Sequence, residues 1–398
     1  MAKSIKKNFL YNILLNVSKV IFPLITAPYI SRILAPDGVG LFNFANTYAN
    51  WFALFAALGV PYYGIREIAK IRDDIKLQTK FVSEIISISL LSTLICTVIM
   101  FMTLLFVPQL SENYLIFLIA GIVLYITPFK VDWYFSGKED FGYITFRSLV
   151  IKTLGVLLLF LFVHDKNDLM LYVFLNALCQ VVNEIWNYAK MYKSGVRPHF
   201  TLNTKKHIKP LLFLFSSTIA ISVYTILDTL MLGFMSDYSE VGFYNSATHI
   251  SKGFLPVVTS LATVAMPRLS NYFANNSWEE IQTIINKSLS VISFICFPMA
   301  FGLLCISPTF IPLFLGSDFY GAIIPLQILS VLLISIGLNN FTGVQILVGL
   351  GYDRQFLYSV LFGMIINFLL NLVLIPYYGS CGISRSEERR VGKECRSR

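Results

Sequence analysis

The sequence predicts an all-α integral membrane protein with two pseudo-symmetric six-helix bundles around a central cavity. Three observations lead to this fold class: the composition, a series of long apolar segments, and a motif that recurs in the second half. Of the 398 residues, 56% are hydrophobic and 13% are charged, whereas about 25% of residues are charged in an ordinary soluble protein. A soluble fold of this length needs more polar surface. The composition therefore argues against a secreted disulfide scaffold, a disordered protein and a nucleic-acid-binding protein.

The apolar segments predict about eleven membrane-spanning helices. A helix needs roughly 20 mainly apolar residues to cross the hydrocarbon layer. Prolines interrupt or flank several of the segments, which membrane helices tolerate better than soluble ones. The predicted spans cover residues 9–31, 39–60, 81–107, 113–130, 141–163, 169–191, 210–234, 240–267, 286–306, 322–350 and 355–376.

The charges of the short loops predict the orientation of these spans. The basic N-terminus, Met1–Lys7, precedes an apolar run too long for a signal peptide, so we interpret that run as an uncleaved first span. With this end in the cytoplasm, the predicted inner loops 61–80 and 192–209 each carry five lysines and arginines, and the outer loops carry mainly acidic residues. This distribution follows the positive-inside rule. We therefore predict a multi-pass protein with a cytoplasmic N-terminus.

The last residues do not fit this topology. Residues 383–398 are basic, although they follow the eleventh span and would emerge on the outer side. Two interpretations remain, a solvated tail or a segment outside the native reading frame, and we favour the second. The predicted domains are an N-terminal six-helix bundle at 1–200, an incomplete C-terminal bundle at 201–382, and a non-native tail at 383–398. One or more final helices are then expected to be missing.

An internal repeat relates the two halves. The segment Val39–Asn46 matches Val241–Thr248 at an offset of 202 residues. The copies lie in the second and the eighth predicted spans, and this even shift of six spans keeps both halves in the same orientation. The halves are therefore predicted to be related by an axis along the membrane normal, as in transporters built from parallel repeats. Such halves typically enclose a cavity.

Three lysines lie inside predicted spans, where a charge is costly. Lys19, Lys152 and Lys252 are each several residues from the ends of their spans, and a central lysine costs about 2.5–3.5 kcal/mol on insertion scales. The alternative to a functional role is a side chain that extends to the membrane interface. Because lysine and arginine bind phosphate groups, the cationic surplus predicts an anionic cargo. Three arginines are predicted near the mouths of the cavity, with interfacial anchoring as the alternative for each: Arg32, Arg66 and Arg147.

Polar side chains recur at helical spacing and predict a hydrated interior. The residues predicted to line the cavity are Asn43, Asn50, Asn245 and His249. For each of them alone, the alternative is a hydrogen bond between helices, worth about 0.6 kcal/mol on average. Asp228 either pairs with Lys252 or takes part in ion coupling, with H+ or Na+ as the candidate ions.

The sequence contains no signature of catalysis or of a cofactor. No Cys-x-x-Cys pair is present, and the four histidines do not cluster with cysteines. No nucleophile–base arrangement and no phosphate-binding glycine loop is present either. We therefore predict a transporter rather than an enzyme, without a metal or a cofactor.

Four segments resemble those of a known family: Pro28–Gly40, Leu58–Glu67, Asp132–Phe135 and Ile375–Gly379. Over residues 5 to 382 the chain resembles the bacterial polysaccharide flippases of the multidrug/oligosaccharidyl-lipid/polysaccharide exporter superfamily. The resemblance implies translocation of undecaprenyl-pyrophosphate-linked oligosaccharide repeat units, such as those of O-antigen, from the inner to the outer leaflet of the cytoplasmic membrane. It also implies alternating access, contact with membrane lipids, and surface polysaccharide biosynthesis as the process served. Family members usually have twelve or more spans, whereas eleven are predicted for this chain.

Two other functions are compatible with parts of the sequence. A multidrug or small-molecule cation antiporter of the same superfamily would be expected to have an acidic cavity. A membrane-embedded polysaccharide polymerase would need a large outer loop with catalytic side chains, and the predicted outer loops are short. We therefore expect a flippase.

Overall fold

The computed structural model describes residues 5–201, 203–254, 269, 272–273, 275, 277–348 and 352–396. Within these ranges every regular element is helical. The α-helices are α1 (Ile5–Ala57), α2 (Val60–Lys70), α3 (Ile75–Phe106), α4 (Pro108–Ser111), α5 (Tyr114–Ala120), α6 (Ile122–Tyr125), α7 (Asp132–Gly137), α8 (Phe141–Phe162), α9 (Leu169–Lys193), α10 (Lys205–Met235), α11 (Tyr238–Lys252), α12 (Trp278–Phe314), α13 (Ile323–Asn339) and α14 (Asp353–Arg396). Short 3-10 helices cover Thr127–Phe129, Lys166–Asp168 and Ser317–Ala322, and a π-helix covers Asn340–Val348.

Seven helical segments of the described chain are long and apolar enough to cross a membrane. They are fewer than the eleven predicted spans partly because α1 joins two helices, one on each side of Ala35, and these contain the first two predicted spans. The backbone of Ala35 is not helical, with φ 56° and ψ 175°. The predicted span 113–130 is instead broken into α5, α6 and a 3-10 helix, at a glycine and a proline that weaken helical hydrogen bonding. Residues 255–268, the end of the eighth predicted span, lie outside the described residues.

The chain divides into two compact units. Unit 1 comprises Met1–Leu34 and Phe42–Leu227, and unit 2 comprises Ala35–Leu41 and Asp228–Arg398. In unit 1, aromatic side chains of α2, α3 and α7 form a buried cluster that includes Tyr63, Phe81 and Trp133. The domain boundary between residues 200 and 201 stays a prediction.

The segment that precedes α10 is bound along α3 inside unit 1. The backbone N–H of His199 donates to Ser83 Oγ at 3.0 Å. Further along, the carboxylate of Glu84 accepts hydrogen bonds from Lys206 Nζ at 2.9 Å and from His207 Nε2 at 2.8 Å. The other ring nitrogen of His207 lies 2.8 Å from the hydroxyl of Tyr63. Glu84 and His207 are both buried, so this connection is a fixed part of unit 1.

Replacing Glu84 with alanine is expected to destabilise the protein by about 1–3 kcal/mol, the cost of leaving a buried hydrogen-bonding group without its partner. The imidazole of His207 is buried and would lose the acceptor of its Nε2. Thermal unfolding of the detergent-purified protein measures the effect. The control is Glu112→Ala, at an exposed position, and equal midpoints for the two variants would contradict the expectation.

Candidate functional site

The described residues of unit 1 line an open cavity of about 450 Å³ among α1, α8 and α9. Its size lies within the range of small-molecule sites. The lining side chains on α8 are mainly apolar, apart from Ser148 and Lys152, and those on α9 include a row of amides. They are Lys19, Phe22, Pro23, Thr26, Ser148, Ile151, Lys152, Val156, Leu159, Tyr172, Leu175, Asn176, Cys179, Gln180, Asn183 and Glu184, together with Gly155.

Two of the three lysines predicted to meet the cargo line this cavity. Lys19 on α1 donates from Nζ to Asn16 Oδ1 at 3.1 Å, and its side chain is exposed. Lys152 on α8 donates from Nζ to Ser18 Oγ at 3.0 Å and lies 5.6 Å from the centre of the Phe22 ring. The two ammonium groups therefore reach the same cavity, one from α1 and one from α8. Both donate to neutral oxygens, Asn16 Oδ1 and Ser18 Oγ.

The helix α9 presents polar side chains to the same cavity. Asn176 and Gln180, one turn apart, line it, and so does Asn183. Glu184 also lines it, and this residue was missed by the sequence analysis. Its position eight residues after Asn176 continues the same helical stripe, so the spacing was a signal that could have identified it.

Glu184 is buried, and only one of its two carboxylate oxygens accepts a hydrogen bond from the described residues. The residue is 7% exposed, and one carboxylate oxygen accepts from Asn183 Nδ2 at 2.9 Å. The other oxygen, Oε2, is buried without a hydrogen-bond partner among the described residues. Because a buried polar atom is costly unless it is hydrogen-bonded, this oxygen is suited to a donor supplied by water or by a bound molecule.

Arg147 does not line the cavity. Its side chain is 2% exposed, and Nη2 donates to Asp132 Oδ1 at 2.7 Å. The same carboxylate oxygen accepts from the amide of Asn187 at 3.0 Å. The guanidinium, predicted to lie at a cavity mouth, thus forms a buried ion pair that joins α7, α8 and α9.

Unit 2 contains a second polar cluster around Asp228. This buried carboxylate accepts from the amide of Asn371 at 2.6 Å and from the hydroxyl of Tyr244 at 3.4 Å. One residue along, the hydroxyl of Thr229 donates to Asn245 Oδ1 at 3.3 Å. The predicted residues Asp228 and Asn245 therefore lie in neighbouring parts of one hydrogen-bonded region. Within the described chain, no group of three or more His, Cys, Asp or Glu side chains could hold a metal ion.

The remaining predicted residues occupy other positions. His249 and Lys252 are exposed near the end of α11. On α1, Arg32 is exposed and Asn43 is half-buried. The side-chain amide of Asn50 donates to the backbone and side-chain oxygens of Asn46, within the same helix.

Arg66 forms part of a surface charge cluster on α2. Its Nε donates to Glu67 at 2.9 Å, and Lys70 donates to the same carboxylate at 2.9 Å. Burial alone would raise the pKa of Glu67, but the hydrogen bonds from Lys70 and Arg66 outweigh it and hold that pKa below its ordinary value. Arg66 is therefore already engaged by a carboxylate in this structure.

Comparison with protein families places the chain among polysaccharide exporters. The model of the family described as "Polysaccharide biosynthesis protein" matches residues 5–273, and a second model, described as "MatE", matches residues 214–373. Among curated proteins, the "Putative O-antigen transporter" of Escherichia coli (strain K12) is 26% identical over 95% of this chain and 92% of its own length. A "Probable low-salt glycan biosynthesis flippase" of Haloferax volcanii is 22% identical over 69% of this chain and 57% of its own length.

Two solved structures share the fold at low sequence identity. An inward-facing multidrug resistance MATE family transporter of the MOP superfamily has a TM-score of 0.69 at 15% identity, covering 95% of this chain and 93% of its own. The lipid II flippase MurJ, in an inward closed conformation, has a TM-score of 0.68 at 15% identity, covering 97% of this chain and 86% of its own. These similarities establish an all-helical fold of the MATE and MurJ type.

Proposed function

Because the chain belongs to the polysaccharide biosynthesis protein family, we propose that it moves undecaprenyl-pyrophosphate-linked oligosaccharide repeat units from the inner to the outer leaflet of a membrane. The resemblance stated from sequence motifs is confirmed by the family match and the curated relatives. The chain is a flippase of the MOP superfamily, and the prediction of a transporter rather than an enzyme is likewise confirmed, since the family and the relatives are transporters. The lipid carrier and the direction of movement belong to the proposal.

The cavity of unit 1 is the observation that carries this proposal. Lys19 and Lys152 supply two cations, which favour the phosphate groups of a lipid-linked sugar. The amides of α9 and the unused oxygen of Glu184 supply donors and acceptors that match sugar hydroxyls. A volume of about 450 Å³ accommodates part of a head group rather than a whole glycolipid, so the lipid chains would remain in the bilayer.

The proposed arrangement retains the finer predictions from the sequence. It comprises eleven spans, six in a bundle at 1–200 and five in a second bundle at 201–382, together with alternating access and a bacterial inner membrane location with the N-terminus in the cytoplasm. Asp228 is the proposed site of coupling to H+ or Na+, supported by a buried carboxylate that contacts the amide of Asn371 and the hydroxyl of Tyr244. The other residues from the sequence analysis stay predicted cargo contacts: Arg32, Asn43, Asn50, Arg66, Arg147, Asn245, His249 and Lys252.

A cation antiporter is the second candidate because Glu184 places a carboxylate in the cavity. A cationic drug would be attracted to this group and repelled by Lys19 and Lys152. The two lysines outnumber the single carboxylate among the lining side chains, so the balance of charge favours an anionic cargo.

Lys19→Ala and Lys152→Ala are each expected to lower export roughly tenfold, because a hydrogen bond to a charged group is worth about 1.5–3 kcal/mol and each 1.4 kcal/mol is a factor of ten. Surface polysaccharide is measured in a strain that lacks the protein, normalised to the amount inserted in the membrane. Lys252→Ala, measured alongside, tests whether the third lysine also meets the cargo.

The matched control is Lys166→Ala, an exposed lysine of a predicted outer loop. Wild-type export by both cavity variants would contradict the proposed cargo site. If drug resistance depends on Glu184 and none of the variants changes polysaccharide export, these results favour the antiporter instead.

A further inference from the structure

The helix α2 connects two helices that are long and apolar enough to cross a membrane. The first of them ends at Ala57, and the second begins at Ile75. The eleven residues of α2 are too few to cross the hydrocarbon layer themselves. Between the first helix and α2, the backbone of Leu58 and of Gly59 has positive φ, at 45° and 75°, which ends the helical path of α1. α2 is therefore a separate short helix at a surface of the membrane.

One face of α2 is packed inside unit 1. The hydroxyl of Tyr63 lies 2.8 Å from Nδ1 of the buried His207. A Cβ atom added to Gly64 would overlap the ring of Trp133 on α7, so the two helices approach closely at this glycine. The buried residues of the helix are Val60, Tyr63, Gly64 and Ile68. These contacts fix the rotation of α2 about its axis and therefore the face that it presents outward.

The outward face of α2 combines apolar and basic side chains. Tyr62 is 63% exposed and Ile65 is 38% exposed, and their spacing of three residues places them on one side of the helix. The side chains of Arg66 and Lys70 are more than half exposed, and they follow Tyr62 by about one and two helical turns. Large apolar side chains beside cations on a surface helix are typical of helices that lie in the headgroup region of a membrane.

An excess of positive charge surrounds this face. Arg66 donates from Nε to Glu67, and Lys70 donates to both oxygens of the same carboxylate, so two cations share one anion. The two terminal nitrogens of Arg66 make no hydrogen bond within the described chain, and the planar fork of a guanidinium fits phosphate. The predicted inner loop 61–80 has five lysines and arginines against three acidic residues, and the loop 192–209 has five against none.

The same combination of side chains recurs where α3 begins. Ile75 and Leu77 are each about half exposed, and the residue between them is a lysine. A Cβ atom added to Gly195 would lie 3.6 Å from the side chain of Ile75, so the end of α9 adjoins this place. There the guanidinium of Arg197 lies 5.3 Å from the centre of the exposed Tyr192 ring. Apolar and basic side chains are therefore exposed together at two places on this end of unit 1.

We propose that α2 anchors unit 1 to anionic phospholipids, with Tyr62 and Ile65 at the boundary between headgroups and acyl chains and with Arg66 and Lys70 on the headgroup phosphates. A phospholipid fits this face better than a soluble protein does, because α2 lies between two membrane spans. Cations beside a span attract the negative surface of a membrane, and a tyrosine ring suits the membrane interface. For Arg66, interfacial anchoring is the alternative to a cargo contact, and lipid binding by α2 does not depend on the cargo.

Lipid binding by the purified protein tests the basic half of this face. Phosphatidylglycerol, which is anionic, and phosphatidylcholine, which has no net charge, are each titrated against the detergent-purified chain, and bound lipid is measured by native mass spectrometry. Arg66→Gln combined with Lys70→Gln should weaken phosphatidylglycerol binding by roughly fivefold or more, because each such cation strengthens attraction to an anionic lipid several-fold. Phosphatidylcholine binding should not change. The matched control, Lys166→Gln, removes an exposed charge of a predicted outer loop and should bind both lipids as the wild type does.

A fluorescent label tests the apolar half. Ala69 is exposed on α2, and Ala69→Cys is made in a protein whose own six cysteines are replaced by serine, so that the new thiol carries an NBD group. The protein is placed in phosphatidylcholine vesicles with or without phosphatidylglycerol, both containing lipid with a spin label on the acyl chain. We expect the spin label to quench NBD about twofold more strongly with phosphatidylglycerol, because interfacial helices respond to lipid charge. Tyr62→Ser combined with Ile65→Ser should remove that difference.

Two results would overturn lipid anchoring by α2. One is unchanged phosphatidylglycerol binding by the double glutamine variant, and the other is equal quenching of NBD in the two kinds of vesicle. If quenching is equal and the label becomes shielded from aqueous iodide as the protein density rises, a second copy of the chain covers α2 instead. Should the serine variants fail to fold, the double glutamine variant with the same label serves in their place, because it changes only exposed charges.

Discussion

Replacement of Gly40 by valine is expected to reduce polysaccharide export to less than about a tenth of the wild-type level, and Gly242→Val is expected to do the same. In each variant the new Cβ overlaps a backbone carbonyl oxygen, of Tyr238 or of Pro36. A backbone atom cannot rotate aside as the end of a side chain can, so the two segments must separate. Overpacking typically costs about 1–3 kcal/mol, which corresponds to as much as a hundredfold change in an equilibrium between two states.

The two glycines make reciprocal contacts, because Gly40 lies against Tyr238 and Gly242 lies against Pro36, the counterpart of Tyr238 at the offset of 202 residues. Because Gly40 and Gly242 make counterpart contacts, the two valine variants should fail to a similar degree, whereas unrelated positions would fail independently. Gly302→Val is the matched control, since no atom lies within 4 Å of a Cβ built there. Export per inserted molecule is measured for all three variants, with Gly40→Ala and Gly242→Ala in reserve should a valine variant fail to insert. Normal export by Gly40→Val or Gly242→Val would show that the close approach is not needed.

The repeat shows how far a short sequence pattern can predict structure. The segments Val39–Asn46 and Val241–Thr248, identical at four of eight positions, led to the prediction of related halves, which stays a prediction. The structure adds the reciprocal positions Pro36 and Tyr238, which share no residue type. No comparison of residue identities could have identified these two positions, since only their backbone atoms take part in the contacts.

The contacts of charged residues were predicted less completely than the positions of hydrophobic segments. A lysine inside an apolar run identifies itself, and Lys19 and Lys152 indeed line one cavity. The sequence does not show which carboxylate a buried cation meets after folding, and the structure adds that Asp132 binds Arg147. Glu184 was not predicted, although it lies on the same face of α9 as Asn176 and Gln180.

Local backbone effects limit how well hydropathy predicts helix boundaries. Hydropathy identifies the apolar run 113–130 but not its interruptions, which follow from Gly121 and Pro128. The predicted break between the first two spans, by contrast, coincides with Ala35, whose non-helical backbone separates two helices of α1. The break precedes Pro36, and a proline disfavours helical backbone at the residue before it.

The ion pair between Arg147 and Asp132 predicts the largest effect on stability. Asp132→Ala removes the carboxylate that holds a guanidinium of 2% exposure. Breaking a buried pair by removing one partner costs about 3–5 kcal/mol, and the lower end applies here because the side chain of Asp132 is 48% exposed. The amide of Asn187 would lose the same acceptor. Thermal unfolding in detergent is expected to show a clearly lowered midpoint.

The double variant Asp132→Ala with Arg147→Met separates the cost of an uncompensated charge from the loss of packing. Replacing a buried ion pair by apolar side chains is often neutral, so the double variant should regain most of the stability lost in Asp132→Ala. The control is Glu139→Ala, which breaks the pair with Arg72 at 2.9 Å, where the side chains are 44% and 37% exposed. Removing such an exposed partner should cost less than about 1 kcal/mol. Two results would show that Asp132 does not stabilise the charge of Arg147. One is a loss of stability in Asp132→Ala no larger than that in Glu139→Ala, and the other is a double variant as unstable as Asp132→Ala.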